Sequence, residues 1–337
     1  MTWTTEPTEA DWDAAVAALT SGEKVLLLAH VSPDADALGS ALAVGLALEA
    51  RGVDVVVSYG DEPFALPRVL RSLPGQHLLV APDSITTHPV VASFDVSSIE
   101  RLGVLRAAAE AASTFIAVDH HASYTGFAPI SLVDVAAPAT AVLALDLVDR
   151  LGVELTVDIA TAVYSGLVTD TGSFKYAGTT PRTHEVAARL LGTGMRHDVV
   201  ARHIYDDEPF AALRLLGAAL DRAVLEETAV GGLGLVWTVV SKDERDALGL
   251  PLDAVERVID VLRIATEAEV ACVLKQDDTS AWRVSMRAKG HVDVSQVAMS
   301  LGGGGHRYAA GFTGHGEPGE VLRSVRAALG AAPHLQD

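Results

Sequence analysis

Eight side chains of this sequence have the types and spacing for metal-assisted chemistry: His30, Asp34, Asp36, Asp95, Asp119, His120, His121 and Asp170. They are carboxylates and imidazoles without a thiolate, a donor set that suits Mn²⁺, Mg²⁺, Fe²⁺ or Co²⁺ better than a structural zinc. Crowded carboxylates repel one another and resist ionisation unless a cation lies between them. Eight donors are too many for one ion. A pair of ions roughly 3.5–4 Å apart, sharing one carboxylate, is the arrangement that supports in-line attack on phosphorus. The ions would also neutralise charge building on the phosphoryl oxygens.

These residues need elements that bring them together. The apolar run Val25-Leu26-Leu27-Leu28-Ala29 reads as a buried strand ending at His30, and a helical pattern is expected from Gly39 to Ala50. Between them Asp34 and Asp36 are expected on a non-helical turn, free to diverge toward two ions, with Pro33 stiffening it. A bland reading is also available, in which Asp36 or Ser40 caps the helix and Asp34 faces water. Val90–Phe94 is a second buried run and ends on Asp95. Thr114–Val118 is a third and runs into Asp119-His120-His121. Three strands thus deliver acids or imidazoles to one edge. Strands alternating with helices predict a doubly wound, mostly parallel sheet, whose sites lie beyond the strands' carboxyl ends. Ser97–Ala112, Ala139–Leu151, Val157–Thr169 and Pro181–Leu191 read as helices, and Asp170 follows the third.

A second pattern begins beyond residue 207: strands over Gly231–Val240, 269–275 and 281–287, a helix over Val255–Thr266, and a terminal helix near 318–329. We expect a catalytic domain over 1–195, a linker over 196–215 and a smaller α/β domain over 216–337. Gly302–Gly305 followed by His306 leave backbone N–H groups that a phosphate or sugar could approach closely. Arg283, Arg287, Lys289 and Arg307 form a local basic group, and strand alternation puts Arg283 and Arg287 on one face. Phe174 and Tyr176 could stack on a base, although core packing is the simpler role.

Bulk composition narrows the substrate. The 337 residues carry 25 basic and 44 acidic side chains, a net charge of −19. That surface repels long nucleic acid, whose sequence-independent binding rests on many Lys/Arg–phosphate contacts. A phosphate-bearing substrate should be short and held locally. The single cysteine, Cys272, reads as a buried strand residue and allows no intrachain disulfide, so a reducing cytoplasm is expected. Met1–Asp13 is acidic and has no apolar core of a signal peptide, and no apolar run is long enough to span a membrane.

Taken in order, His30-x-x-Pro33-Asp34-x-Asp36-Ala37-Leu38-Gly39-Ser40, Asp95, Asp119-His120-His121 and Asp170 resemble the four motifs of the DHH phosphoesterases. Gly302–Gly305 with His306 and Ala309-Ala310-Gly311-Phe312 are similar to the DHHA1 domain that follows them. The size and the Ser285-Met286-Arg287 stretch resemble the subgroup of bifunctional oligoribonucleases and 3′-phosphoadenosine 5′-phosphate (pAp) phosphatases, some of which hydrolyse cyclic di-AMP.

The resemblance implies two divalent ions, manganese first and magnesium or cobalt as alternatives. His30, Asp34 and Asp95 would hold one, and Asp36, Asp95, His120 and Asp170 the other, with Asp95 bridging. Asp119 would orient a neighbouring ligand and His121 would contact the reacting phosphate. Arg287, Gly303, Gly304, Gly305 and His306 would grip the far phosphate or base in a cleft between the domains. Ala288 departs from the serine of many relatives. A homodimer releasing nucleoside 5′-monophosphates from pApA, other short oligoribonucleotides, pAp or cyclic di-AMP is the implied enzyme. An inorganic pyrophosphatase or exopolyphosphatase is the alternative within the superfamily. A non-catalytic nucleotide sensor would have lost a ligand, and none is missing here.

Overall fold

Helical crossovers between apolar strands favour parallel pairing, and the strands of the first half of the chain pair in that way. The computed structural model describes residues 3, 6–278 and 280–335. The outermost positions of both expected domains (1, 2, 4, 5, 336 and 337) lie outside the described residues. The chain divides into two compact units, Met1–Asp207 and Glu208–Asp337.

The first unit runs α1 (Glu9–Leu19), β1 (Val25–Ala29), α2 (Ala35–Ala50), β2 (Val55–Tyr59), β3 (Val90–Phe94), α3 (Arg106–Glu110), β4 (Thr114–Asp119), β5 (Ile130–Val133), α4 (Thr140–Arg150), α5 (Val157–Asp170), α6 (Pro181–Leu191) and α7 (His197–Tyr205). Its five strands lie in the order β2-β1-β3-β4-β5, every pair parallel. Leu27 and Ala29 of β1 enter one core, while Leu26 and Leu28 enter another on the opposite face. Burial on both faces is why β1 reads as a continuous apolar run rather than an alternating one. The strand order reverses between β1 and β3, and His30 and Asp95 follow those two strands. An open α/β sheet places its ligands at such a switch point.

Two local features differ from the sequence reading, and both shape the site. Helix α2 begins at Ala35, four residues earlier than expected. Asp34 is its N-cap, accepting the backbone N–H groups of Asp36 (3.0 Å) and Ala37 (2.9 Å) through Oδ1. A side-chain acceptor there satisfies two of the helix's orphan donors. Asp36 therefore stands in the first helical turn, not on a free loop. The stretch 97–112 is not one helix either. A 3₁₀ segment, Ile99–Leu105, precedes α3, broken at Gly103 with φ 57° and ψ −132°. A Cβ at Gly103 would come within 2.4 Å of the Gly60 carbonyl oxygen and 2.5 Å of a Val31 methyl. That close approach lets the Arg101 carbonyl accept the Val31 N–H (2.8 Å), tying down the loop after β1.

The second unit runs α8 (Phe210–Asp221), β6 (Val224–Glu226), α9 (Ala229–Gly232), β7 (Leu235–Val240), α10 (Lys242–Ala247), α11 (Glu256–Leu262), β8 (Val270–Asp278), β9 (Ala281–Ala288), α12 (Val294–Ser300), β10 (Gly304–His306), β11 (Ala309–His315) and α13 (Pro318–Ala331). Its six strands take the order β10-β11-β9-β8-β7-β6, with β7–β8 the parallel pair. The stretch 196–215, expected as a linker, holds α7 and the first half of α8. Cys272 is buried in β8, and burial pushes its thiol up to about 12. No helix among the described residues is long and apolar enough to cross a membrane.

Candidate metal centre

Seven of the eight singled-out side chains lie at or just beyond the carboxyl ends of β1, β3 and β4 or at the start of α2, and Asp170 closes the cluster from the last residue of α5. His30 is buried, and its Nδ1 lies 2.8 Å from the Val31 carbonyl. A carbonyl only accepts, so Nδ1 carries a proton and Nε2 is the atom that offers a lone pair once the ring is neutral. That Nε2 faces Asp34 Oδ2 and Asp95 Oδ2, each at 3.6 Å. His120 repeats the device: its Nδ1 is 3.0 Å from the Ala137 carbonyl. Its Nε2 faces Asp170 (3.3 Å), Asp95 Oδ1 (3.5 Å) and Asp36 (3.9 Å). A carbonyl on one ring nitrogen, fixing the other toward acids, is how metal-ligating histidines are oriented.

Two groups emerge, His30–Asp34–Asp95 and Asp36–His120–Asp170, each with donor atoms close enough together to hold an ion. Asp95 lies between them: its Oδ2 faces His30 while its Oδ1 faces His120. Its backbone is in the left-handed region (φ 62°), a conformation costly for a residue with a side chain and tolerated best by Asp and Asn. The Asp95 N–H donates to the Val118 carbonyl at 2.9 Å, holding that bend against β4.

Asp119 adds a third group. Its Oδ1 accepts the N–H of His120 (2.8 Å), the N–H of His121 (3.2 Å) and Nδ1–H of His121 (2.8 Å). This fixes the His121 ring and presents its Nε2. His121 Nδ1 also lies 3.5 Å from Asp95 Oδ1.

The electrostatics of the cluster favour positive charge. Burial works to lower the His30 pKa, and Arg101 with it, but bonds to Asp34 and Asp95 outweigh them and raise it to about 9. Burial also opposes the His120 imidazolium, yet Asp170, Asp95 and Asp36 raise it to about 10. Burial pushes Asp170 up to about 7, with Asp95 and Asp34 adding to the repulsion. It likewise drives Asp36 well above the carboxylate range, with Asp95 and Asp170 reinforcing it. Asp95 goes the other way: burial opposes ionisation, but His121, His30 and His120 hold it well below the usual range. Protonated imidazoles stand in for the cation that the carboxylates require. Oriented Nε2 atoms and oxygen donors without thiolate fit a hard or borderline divalent ion.

Three positioning residues had no signal in the sequence. Thr140, at the start of α4, donates its hydroxyl to Asp95 Oδ1 (2.8 Å) and its N–H to Asp36 Oδ2 (2.7 Å). The Ala141 N–H donates to Asp36 Oδ1 (2.8 Å). Asp61 accepts the Ser32 N–H through both oxygens, at 2.9 and 2.8 Å. Their contacts join residues 29 to 105 positions apart, beyond the reach of periodicity.

In the second unit, Arg287 of β9 pairs with Ala309 of β11, which pairs with His306 of β10. Directly opposed residues share a face, so Arg287 and His306 stand in one row. The neighbouring row is Ser285, Gly311 and Gly304, with open space where a Gly304 side chain would be. Gly303 has a different reason: a Cβ there would lie 2.1 Å from the Gly311 carbonyl oxygen. Ala288 is buried in the core, which removes it from any phosphate contact on that face. Arg283 pairs with Asp277 (2.8 Å), and Lys289 donates to the Ala265 carbonyl. Phe174 stacks on His184 (ring centroids 5.0 Å apart) and packs against the first unit's core.

A parallel sheet with acids and imidazoles at its switch point is followed by a mixed second sheet, and the comparisons with known proteins show that the chain belongs to the DHH family. The model of the DHH family N-terminal domain matches residues 24–167, and that of the DHHA1 domain matches 239–332. The chain is 33% identical over 317 residues to the bifunctional oligoribonuclease and PAP phosphatase NrnA of Thermus thermophilus, with 92% of each chain covered. It is 24% identical over 305 residues to the cyclic-di-AMP phosphodiesterase PdeA of Listeria monocytogenes, covering 86% of this chain and 44% of that one. Among solved structures, an exopolyphosphatase-related protein from Bacteroides fragilis superposes with a TM-score of 0.85 at 24% identity, covering 97% of each chain. That last likeness is one of fold.

Proposed function

We propose that the protein is a two-metal phosphodiesterase and phosphatase of short nucleotides, releasing nucleoside 5′-monophosphates. The observation that carries this reading is Asp95, whose two oxygens face two separate ligand groups, His30–Asp34 and Asp36–His120–Asp170. We assign one divalent ion to each group and take manganese as the metal. Bound there, the ions supply Lewis-acid polarisation of the phosphoryl oxygens and activation of water.

The chain's own residues do the rest. His30 and His120 keep Nε2 available because carbonyls hold their Nδ1 protons. Asp119 holds the His121 ring so that Nε2 meets the reacting phosphate. Arg287 and His306, in one row beside the open backbone at Gly304, form the surface that grips another phosphate or a base.

The likeness to NrnA over nearly the whole chain supports pApA, other short oligoribonucleotides and pAp as substrates, and the likeness to PdeA supports cyclic di-AMP. Both favour nucleotides over inorganic pyrophosphate. The net charge of −19 fits short substrates rather than long nucleic acid. The family resemblance supports a homodimer, and the buried single cysteine fits a reducing cytoplasm.

Product analysis tests the reading: pApA, pAp, cyclic di-AMP and pyrophosphate are given to the protein in parallel with Mn²⁺. Nucleoside monophosphate from the nucleotides, with pyrophosphate untouched, is the expected result. Phosphate released from pyrophosphate alone would overturn the assignment.

A further inference from the structure

Thr140 occupies an unusual place for a threonine at a helix start. The N-cap of α4 is Ala139, which has no side-chain oxygen, so α4 makes no cap of its own. Asp36 of α2 supplies the acceptors instead, one oxygen to the Thr140 N–H and one to the Ala141 N–H. The Thr140 hydroxyl is thereby left to donate to Asp95 Oδ1 at 2.8 Å. Thr140 is fully buried. One residue therefore touches both the carboxylate shared by the two groups and a carboxylate belonging to the second group alone.

The contact is also one-sided. Asp95 Oδ1, which accepts the hydroxyl, is the oxygen facing His120, while Oδ2 faces His30. A buried hydroxyl donor fixes the rotation of a carboxylate and takes one of that oxygen's acceptor positions. Outer partners of this kind typically change metal affinity 10- to 100-fold.

We infer that Thr140 is a positioning residue for the second ion: its hydroxyl, through Asp95 Oδ1, sets the affinity of the Asp36–Asp95–His120–Asp170 group and leaves the His30–Asp34–Asp95 group nearly unaffected. The inference rests on the two-metal reading above.

The test is Mn²⁺ titration of the full chain, followed by the electron paramagnetic resonance of free Mn²⁺, on wild type, Thr140→Val and Thr140→Ser. Valine keeps the shape and the backbone N–H but removes the donor, and serine keeps the donor. We expect two Mn²⁺ per wild-type chain. Thr140→Val should keep one ion at wild-type affinity and bind the second at least 10-fold more weakly, and Thr140→Ser should restore the second to within about threefold. Should the valine variant fail to fold, Thr140→Ala against Thr140→Ser makes the same comparison. Two ions at wild-type affinity in the hydroxyl-less variant would overturn the inference, as would equal weakening of both ions, which marks a general structural defect. Fewer than two ions in wild type would instead overturn the two-metal reading beneath it.

Discussion

Gly166 of α5 and Asp36 of α2 are so close that only hydrogen fits between them. A Cβ at position 166 would stand 2.7 Å from Asp36 Oδ1, 3.0 Å from Asp36 Cα and 2.9 Å from the Ala141 methyl. Gly39 does the same one turn along α2, where a Cβ would lie 2.6 Å from the Ala162 carbonyl oxygen. Small residues at this crossing let two helix backbones approach until an acid of one lies against the other. Gly166→Ala should therefore displace the carboxylate before it unfolds the helix. Overpacking costs about 1–3 kcal/mol, and the helix propensity of alanine offsets about 1 kcal/mol of it. The expected result is a melting temperature within a few degrees of wild type and turnover at least tenfold lower with saturating Mn²⁺.

Asp36→Ala removes a donor of the second group and the acceptors at the start of α4. Loss of a helix cap costs about 0.5–2 kcal/mol, too little to unfold a chain of this size. Turnover should vanish while the far-ultraviolet circular dichroism stays native. An active Asp36→Ala protein would contradict the metal grouping.

The pH dependence has a definite sign. In the metal-free protein His30 and His120 titrate at about 9 and about 10, and Asp170 at about 7, all above their ordinary values. The folded chain holds protons that the unfolded chain releases, so stability falls as pH rises through each interval. The histidines contribute fully below about 6.5 and lose that contribution on the way to 9 and 10. Ions must displace those same protons. Melting temperatures from pH 6.5 to 8.5 should thus fall without metal, while the Mn²⁺ concentration needed for half-saturation should fall as well. An affinity independent of pH would contradict this.

Asp61 grips the Ser32 N–H, and Ser32 stands in the left-handed region (φ 53°) between His30 and Asp34. Asp61→Ala frees that loop. Its expected effect is weaker binding of the ion in the His30–Asp34–Asp95 group, read by calorimetric Mn²⁺ titration, with partial recovery in Asp61→Asn. This is the opposite preference from that expected of Thr140→Val.

Most of the candidate cluster was legible because His30, Asp95 and Asp119 each close an apolar run. β1, β3 and β4 are buried on both faces and end abruptly at His30, Asp95 and Asp119, so strand and ligand are read together. β5 was not legible: Ile130-Ser131-Leu132-Val133 is short and half-exposed at its start. The early start of α2 was not legible because Asp34 does two jobs, whereas the cap was expected at Asp36 or Ser40 with Asp34 facing water. In the structure Oδ1 caps the helix and Oδ2 faces His30. The glycine run carried two causes in one string. Gly303 answers the close approach of Gly311, whereas Gly304 opens onto empty space. Thr140 and Asp61 act only through the fold.

The central claim is that Asp95 is shared between two ions, and crystals soaked in Mn²⁺ test it most directly. An anomalous difference map recorded at the manganese edge should show two peaks, one beside His30 and Asp34 and the other beside Asp36, His120 and Asp170, with Asp95 between them. A single peak, or two peaks that both leave Asp95 outside their ligand shells, would contradict the account.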